Sequence, residues 1–192
     1  MRRLPVRLFF ALELDEALRI ALDHAVAPLR VAEPTLAWVR PDKLHLTMKF
    51  LGDVDDTSAA RLAAATDAVA ARHRPFEMLL GGVGAFPNFR RTRVVWMGVD
   101  SEPRLELLHH DLELACDEAG FTVEGRPFRP HITLARVRTP LAVDRARSFA
   151  RAAARVAFAA SGEIGALALL ESTPAAHGAR YRRVHATTLG GC

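Results

Sequence analysis

The sequence predicts an α+β fold: a pseudo-two-fold duplicated domain spanning residues 1–192, with two antiparallel sheets forming a central cleft and helices on the outside. Three observations carry this expectation. Segments with strand alternation are interleaved with segments of helical apolar periodicity. Two stretches, Leu44-His45-Leu46-Thr47-Met48 and Pro130-His131-Ile132-Thr133-Leu134, repeat one pattern 86 residues apart. No linker-like or low-complexity segment divides the 192 residues, and a hydrophobic content of 50% suffices for one sizeable core.

In chain order, residues 6–14 read as an inner strand whose Phe9 and Phe10 face opposite sides. Asp15 caps a helix in which Leu18, Leu22, Val26 and Leu29 recur at helical spacing, with Glu16 in its first turn. A short strand at 36–39 is stopped by Arg40-Pro41-Asp42. The first His-x-Thr strand follows, ending at Gly52-Asp53. Asp56-Thr57-Ser58 opens a second helix with Leu62, Ala65, Val69 and Ala70 inward, which ends near His73 before Pro75.

Residues 76–86 form a strand broken by Gly81-Gly82 and Gly84. These glycines match neither a phosphate loop nor a dinucleotide fingerprint, so they mark a bulge or a close backbone approach. The basic turn Arg90-Arg91-Thr92-Arg93 leads to a strand at 94–99. Glu102-Pro103 starts a third helix, with Leu105, Leu108, Leu112 and Ala115/Cys116 inward, that stops at Gly120. Residues 121–128 lead into the second His-x-Thr strand, which runs to about Val137. An Arg/Ala-rich helix at 144–154 and strands at 157–160, 167–172 and 180–188 complete the chain.

On an extended strand the side chains alternate, so His and Thr of each repeat share one face while Leu46/Met48 and Ile132/Leu134 share the other. The apolar face can dock on a core while an imidazole and a hydroxyl project into a groove. Done twice, this supplies two histidines for acid and base work. With 8 His and 11 Thr, chance yields about half a His-x-Thr match, so a single match would carry little. There are three. The third, His185-Ala186-Thr187, lacks an apolar residue after its Thr and reads as a decoy. The pair His109-His110 on the third helix reads as a solvated face, because adjacent helical positions diverge and make poor metal geometry.

The net charge is +4 and the pI about 9.8, from 24 Arg and 2 Lys, which makes an anionic partner plausible without specifying nucleic acid. Cys116 and Cys192 show no metal or redox spacing, and a reduced, cytoplasmic, monomeric protein is expected. The apolar run after Met1-Arg2-Arg3 is interrupted by Arg7 and Glu13, which argues against a signal peptide.

Taken together, these motifs resemble the two-histidine (2H) phosphoesterase superfamily, specifically its RNA 2′,3′-cyclic phosphodiesterase family, also called 2′-5′ RNA ligase. The resemblance extends to Arg7-Leu8-Phe9-Phe10-Ala11-Leu12, Trp38-Val39-Arg40-Pro41, Phe50-Leu51-Gly52, Gly84-Ala85-Phe86-Pro87 and the run from Phe128 to Arg136. It implies an enzyme that needs no metal or cofactor, acts on RNA ends or cyclic nucleotides, and can form 2′-5′ bonds without ATP. It also implies His45 as proton donor, His131 as proton acceptor, Thr47 and Thr133 as hydroxyl donors to phosphate, and Phe50 and Arg136 packing the terminal base. Arg129, which abuts the second motif, joins the substrate-binding set from its position alone. Met48 departs from the family, which more often has Leu there. The competing expectation is an RNA-end-binding module of the same fold without turnover.

One difficulty remains at this level. Phe50 and Arg136 each lie five residues after their histidine, so a regular strand would turn them away from the cleft; each strand must end, bulge or twist before that point.

Overall fold

The structure, a computed structural model, describes residues 6–100, 102–175 and 179–190. Its strands are β1 (Val6–Glu13), β2 (Ala37–Trp38), β3 (His45–Val54), β4 (Phe76–Phe86), β5 (Val94–Val99), β6 (His131–Arg136), β7 (Ala159–Ile164), β8 (Ala166–Thr173) and β9 (Arg180–Thr188). The α-helices are α1 (Glu16–Ala32), α2 (Asp56–Ala70), α3 (Pro103–Glu118) and α4 (Val143–Ala154). Among the described residues no helix is long and apolar enough to cross a membrane.

Helices α1, α2 and α3 start where side chains can accept orphan backbone N–H groups, whereas α4 starts after Ala142 with no side-chain cap. Asp15 Oδ1 accepts from Leu18 N at 2.7 Å, and Asp55 Oδ1 accepts from Ser58 N at the same distance. Helix α1 continues through Pro28 to Ala32, past the expected Leu29; the cap N–H of Glu33 donates to the Leu29 carbonyl and closes it. Leu18, Leu22, Val26 and Leu29 are its buried stripe, as the spacing predicts.

The two expected sheets are joined. Hydrogen bonding runs through one antiparallel sheet in the order β7-β4-β5-β6-β3-β1-β8-β9, with β2 paired to β6. The join is slight: β3 and β6 share a single register pair, Leu46 with Ile132. Beyond it β6 turns its edge to β2, pairing Ala135 with Trp38 and Arg136 with Ala37. The strands thus part after one rung and leave a cleft between the halves. Helices α1 and α4 pack on the β4/β7 half, and α2 packs beside α3 on the β8/β9 half.

Phe9 and Phe10 are both buried, on opposite faces. Phe10 belongs to the main core, while Phe9 joins Ala11, Ala168, Leu170 and Tyr181 in a small cluster on the cleft side. Strand β3 does not stop at Gly52-Asp53; Gly52 adopts a φ of 75° that lets the strand bend and continue to Val54. Strand β7 starts two residues later than expected and extends to Ile164, pairing with β4 along its length. Cys116 is buried in the core and its thiol is pushed up to about 12 by burial; Cys192 lies outside the described residues.

Among the buried polar residues are a lysine and a glutamate that pair inside the fold. Lys49 is buried, and its Nζ donates to Glu113 Oε2 on α3 at 2.6 Å and to the Thr122 carbonyl at 2.8 Å. The same carboxylate oxygen accepts from Glu124 N at 2.9 Å, so the pair ties β3 to α3 and to the loop that leads to His131. Removing one partner leaves an uncompensated charge out of water. Lys49→Met should therefore cost about 3–5 kcal/mol in urea unfolding, while Lys49→Met with Glu113→Leu should cost clearly less than the two single changes added. Additive losses would show that the pair is not coupled.

Candidate active site

The shared rung sets the site. In an antiparallel ladder that pairs Leu46 with Ile132, His45 falls opposite Thr133 and Thr47 falls opposite His131. Leu46 and Ile132 point into the core with no exposed surface, so both histidines and both threonines face the cleft side.

Each imidazole is oriented in the same way. His45 Nδ1 lies 2.8 Å from the carbonyl of Lys43, and His131 Nδ1 lies 2.7 Å from the carbonyl of Arg129. A carbonyl only accepts, so each Nδ1 carries the proton and donates, which leaves Nε2 to do chemistry. His45 Nε2 is 3.1 Å from Thr47 Oγ1. The ring surroundings differ. His45 sits against Phe9, with ring centroids 5.1 Å apart, and edge-on to Tyr181 at 5.2 Å. His131 sits edge-on to Phe86 at 5.0 Å and near Trp96 at 6.5 Å.

The parity difficulty is resolved by a bulge in each strand at the same motif position. Along β1, Phe10 pairs with Lys49 and Ala11 with Thr47, so Met48 is the extra residue in β3. Along β5, Val95 pairs with Ala135 and Trp96 with Thr133, so Leu134 is the extra residue in β6. Two consecutive side chains then point inward, Met48 and Lys49 in one strand and Leu134 and Ala135 in the other, all buried. Phe50 and Arg136 consequently return to the cleft face.

A cleft of about 390 Å³ results, lined by His45, Thr47, Phe50, Thr133, Arg136 and Tyr181 among others. That size suits a nucleotide-scale ligand. Phe50 is 70% exposed and its ring lies 5.9 Å from that of Phe9, so it is not a core residue. His131 is not among the lining residues, although its charge reaches His45. Arg129 is exposed and does not line the cleft either. Burial holds the His45 imidazole below 6.5; the Lys43 carbonyl and Glu13 pull it up, while Arg136 and His131 push it further down.

Sequence reasoning missed Tyr181, which lies on β9 and covers His45, because one tyrosine in an arginine-rich edge strand shows no pattern. It also missed what Gly84 is for. A Cβ there would meet the Trp96 ring at 2.1 Å, so the glycine makes room for the ring that lies behind His131. Gly82, with φ of 72°, sits at the register shift between Leu80 and Val83, which is the bulge anticipated for that strand.

The third His-x-Thr copy is engaged elsewhere. His185 Nε2 lies 2.7 Å from Asp67 Oδ1, and Thr187 Oγ1 donates to the same oxygen, latching β9 to α2. His109 is not a solvated residue: it is half-buried and stacked on Phe128 with centroids 3.9 Å apart, while His110 is exposed. Among the described residues, no three His, Cys, Asp or Glu side chains converge as a metal would require.

This arrangement can be set beside known proteins. The RNA 2′,3′-cyclic phosphodiesterase of Methanothermobacter thermautotrophicus is 36% identical over 137 residues, covering 71% of this chain and 74% of that one. The crystal structure of the Thermus thermophilus protein TT0787 superposes with a TM-score of 0.80 at 30% identity, covering 96% of this chain and 98% of the other. Escherichia coli LigT in complex with 3′-AMP gives a TM-score of 0.74 at 29% identity, covering 97% and 99%. The family profile described as the 2′-5′ RNA ligase superfamily matches residues 18–175, and with the paired His-x-Thr strands meeting at one rung, the chain belongs to that superfamily.

Proposed function

We propose that this chain hydrolyses RNA ends carrying a 2′,3′-cyclic phosphate to a 2′-phosphate, with His45 as proton donor and His131 as proton acceptor. The observation that carries the reading is the matched pair of histidines, each with Nδ1 bound to a carbonyl two residues earlier and each facing a threonine across one rung. The relatives named RNA 2′,3′-cyclic phosphodiesterase, and the 3′-AMP bound by a similar fold, support the substrate class.

The chemistry needs one base, one acid and donors for negative charge. His131 Nε2 takes a proton from water as the water oxygen bonds to phosphorus. The bond from phosphorus to the ribose 3′-oxygen breaks, and that oxygen takes the proton from His45 Nε2. Thr47 and Thr133 donate to the non-bridging oxygens. Phe50 and Arg136 hold the terminal base between a ring and a guanidinium. Arg129, exposed beside His131, is a further guanidinium within this reading. With a 5′-hydroxyl in place of water, the same groups would form a 2′-5′ bond. No step calls on a metal.

In the same reading the chain is one domain of two pseudo-symmetric lobes. The runs β1-α1-β3-α2-β4 and β5-α3-β6-α4-β8 share their order. Strand β4 pairs with β5 as β8 pairs with β1, and β7 and β9 extend the two edges equivalently. The rung between Leu46 and Ile132 lies where a dyad would pass, since the two positions are equivalent in the repeat.

A cyclic phosphate also resolves an apparent conflict. His45, the proton donor, is biased toward its neutral form by burial and by neighbouring positive charge. An anionic phosphate beside it acts in the opposite sense and recruits the proton.

Three outcomes test this function. Incubated with an oligoribonucleotide ending in a 2′,3′-cyclic phosphate, with and without EDTA, the protein should yield a 2′-phosphate at equal rates. His45→Ala and His131→Ala should each lower turnover by about 10²-fold or more, and His185→Ala should not. A rate abolished by chelation and restored by a divalent ion, or a full loss with His185→Ala, would refute the assignment.

Phe50→Ala and Arg136→Ala should raise KM for cyclic nucleotides, with the aromatic loss on the order of 1–3 kcal/mol. Because Phe50 is solvent-exposed, Tm should stay within a degree or two. An unchanged KM with a lowered Tm would place Phe50 in a structural role.

In histidine NMR titrations, His45 should protonate below 6.5 in the free protein and shift upward when 2′-AMP is bound. The sign for stability follows: a depressed folded-state value means that the unfolded chain binds the proton first. The contribution of His45 is then full above 6.5 and is lost as pH falls toward its folded value. A His45 that titrates above 6.5 without ligand would contradict this.

A further inference from the structure

Most ion-paired arginines of this chain lie away from the cleft, as with Arg30 and Asp23, Arg145 and Glu33, and Arg182 and Glu171. One group is different. Arg90, Arg91 and Arg93, in the turn between β4 and β5, and Arg136 and Arg138, at the end of β6, are all exposed and show no carboxylate partner among the described residues. Nor could they find one nearby in sequence, because residues 78–99 and 125–143 contain no Asp or Glu. The net charge of the whole chain is only +4, so five unpaired guanidiniums in one region concentrate positive potential there.

Side-chain alternation places Arg136 and Arg138 on the cleft face and the backbone joins the turn carrying Arg90 and Arg91 to them, whereas Arg93, opposite Val137, takes the other face. Val94 pairs with Arg136 across β5 and β6, and Val137 N donates to the Arg93 carbonyl at 2.9 Å. Arg93 N in turn donates to the Phe86 carbonyl at 2.8 Å, and the Phe86 ring abuts His131. The surface is therefore continuous with the cleft at Arg136.

The turn is also ordered before any partner arrives. Asn88 Oδ1 accepts from the N–H groups of Arg90 and Arg91 at 3.0 and 3.1 Å. Thr92 is buried and its hydroxyl donates to the Phe89 carbonyl at 3.0 Å, while Phe89 packs toward Phe149 of α4. A held backbone that displays several guanidiniums suits repeated phosphates, since each guanidinium offers a fork of donors and less entropy is lost on binding.

We infer that Arg90, Arg91 and Arg138 form a track for the phosphates of the nucleotides that precede the cyclic end, so that the chain engages its RNA over several nucleotides and not at the terminal one alone. The inference rests on the proposed hydrolysis and extends it beyond the terminal nucleotide. Arg136 is the junction, where the base site ends and the track begins. Single-stranded RNA is the chemistry that fits: a row of phosphates recognised by charge with little dependence on sequence.

The test compares Arg90→Gln/Arg91→Gln/Arg138→Gln with wild type on two substrates, adenosine 2′,3′-cyclic phosphate and an eight-nucleotide RNA with the same end. The track requires that kcat/KM for the oligonucleotide fall by an order of magnitude or more at low salt while that for the mononucleotide is unchanged. The slope of log kcat/KM against log salt should shrink by about 2, as expected when three guanidiniums no longer neutralise single-strand phosphates. An equal effect on both substrates, or none on either, overturns the track. Fluorescence anisotropy with the same RNA ending in a 3′-hydroxyl keeps the two readings apart. If wild type hydrolyses neither substrate the catalytic reading fails, and the track then stands if the triple variant binds this RNA about tenfold or more weakly and falls if it binds equally.

Discussion

A single rung of sheet, Leu46 against Ile132, is the constraint on which the rest depends. Both side chains are fully buried, so the rung cannot slip by one residue without exposing two core residues and turning both histidines inward. Because the strands part after it, the rung joins the halves without closing the space between them. The two histidines and two threonines come from residues one position to either side of the rung, so their mutual placement is inherited from backbone pairing rather than from flexible loops.

Around that rung the equivalent positions are filled differently. One residue past the first bulge stands Lys49, and past the second Ala135. Alanine needs nothing at a buried site. Lysine there requires Glu113 and the Thr122 carbonyl, and through them it fixes the approach to the other motif. The next pair, Phe50 and Arg136, supplies one ring and one guanidinium, both lining the cleft. The imidazoles differ in the same spirit: His45 lies under Tyr181 and Phe9, His131 beside Phe86 and Trp96. The proposed mechanism, which moves one proton off and another on, calls for two unlike histidines, and the unlike packing around the two motifs would produce them.

The motifs, the four helices and most strands were legible because each shows period or caps in its own segment. Leu18, Leu22, Val26 and Leu29 mark α1 without reference to anything else. What was not legible depends on pairing between distant segments. Whether the sheets join is decided by one register pair between residues 86 apart, and no local pattern carries it. The bulges at Met48 and Leu134 could be demanded from parity but not located, because each is defined only against its partner strand, β1 or β5. In the sequence a basic residue follows each motif, Lys49 after the first and Arg136 after the second. The bulge shows that the counterpart of Lys49 is Ala135, and the lysine is buried instead of facing substrate. His185 was set aside as a decoy on its flanking residues, and it is held by Asp67 of α2.

The electrostatics of the cleft by itself are arranged against the protonated His45 that the proposed mechanism calls for. Arg136 and His131 both disfavour a proton on His45, and burial adds to them. In a site that bound a neutral ligand this would be a defect. With a phosphate between the histidines the same positive groups become the attraction that draws it in, and its charge then offsets their effect on His45. Neutral His45 accepts from the Thr47 hydroxyl across 3.1 Å; once protonated, Nε2 becomes a donor and that hydroxyl is free to turn toward a phosphate oxygen. In the proposed mechanism the acid and the oxyanion donor are thus armed by one event, the arrival of the anion, so a proton donor with a depressed resting value and a cationic cleft would be parts of one device.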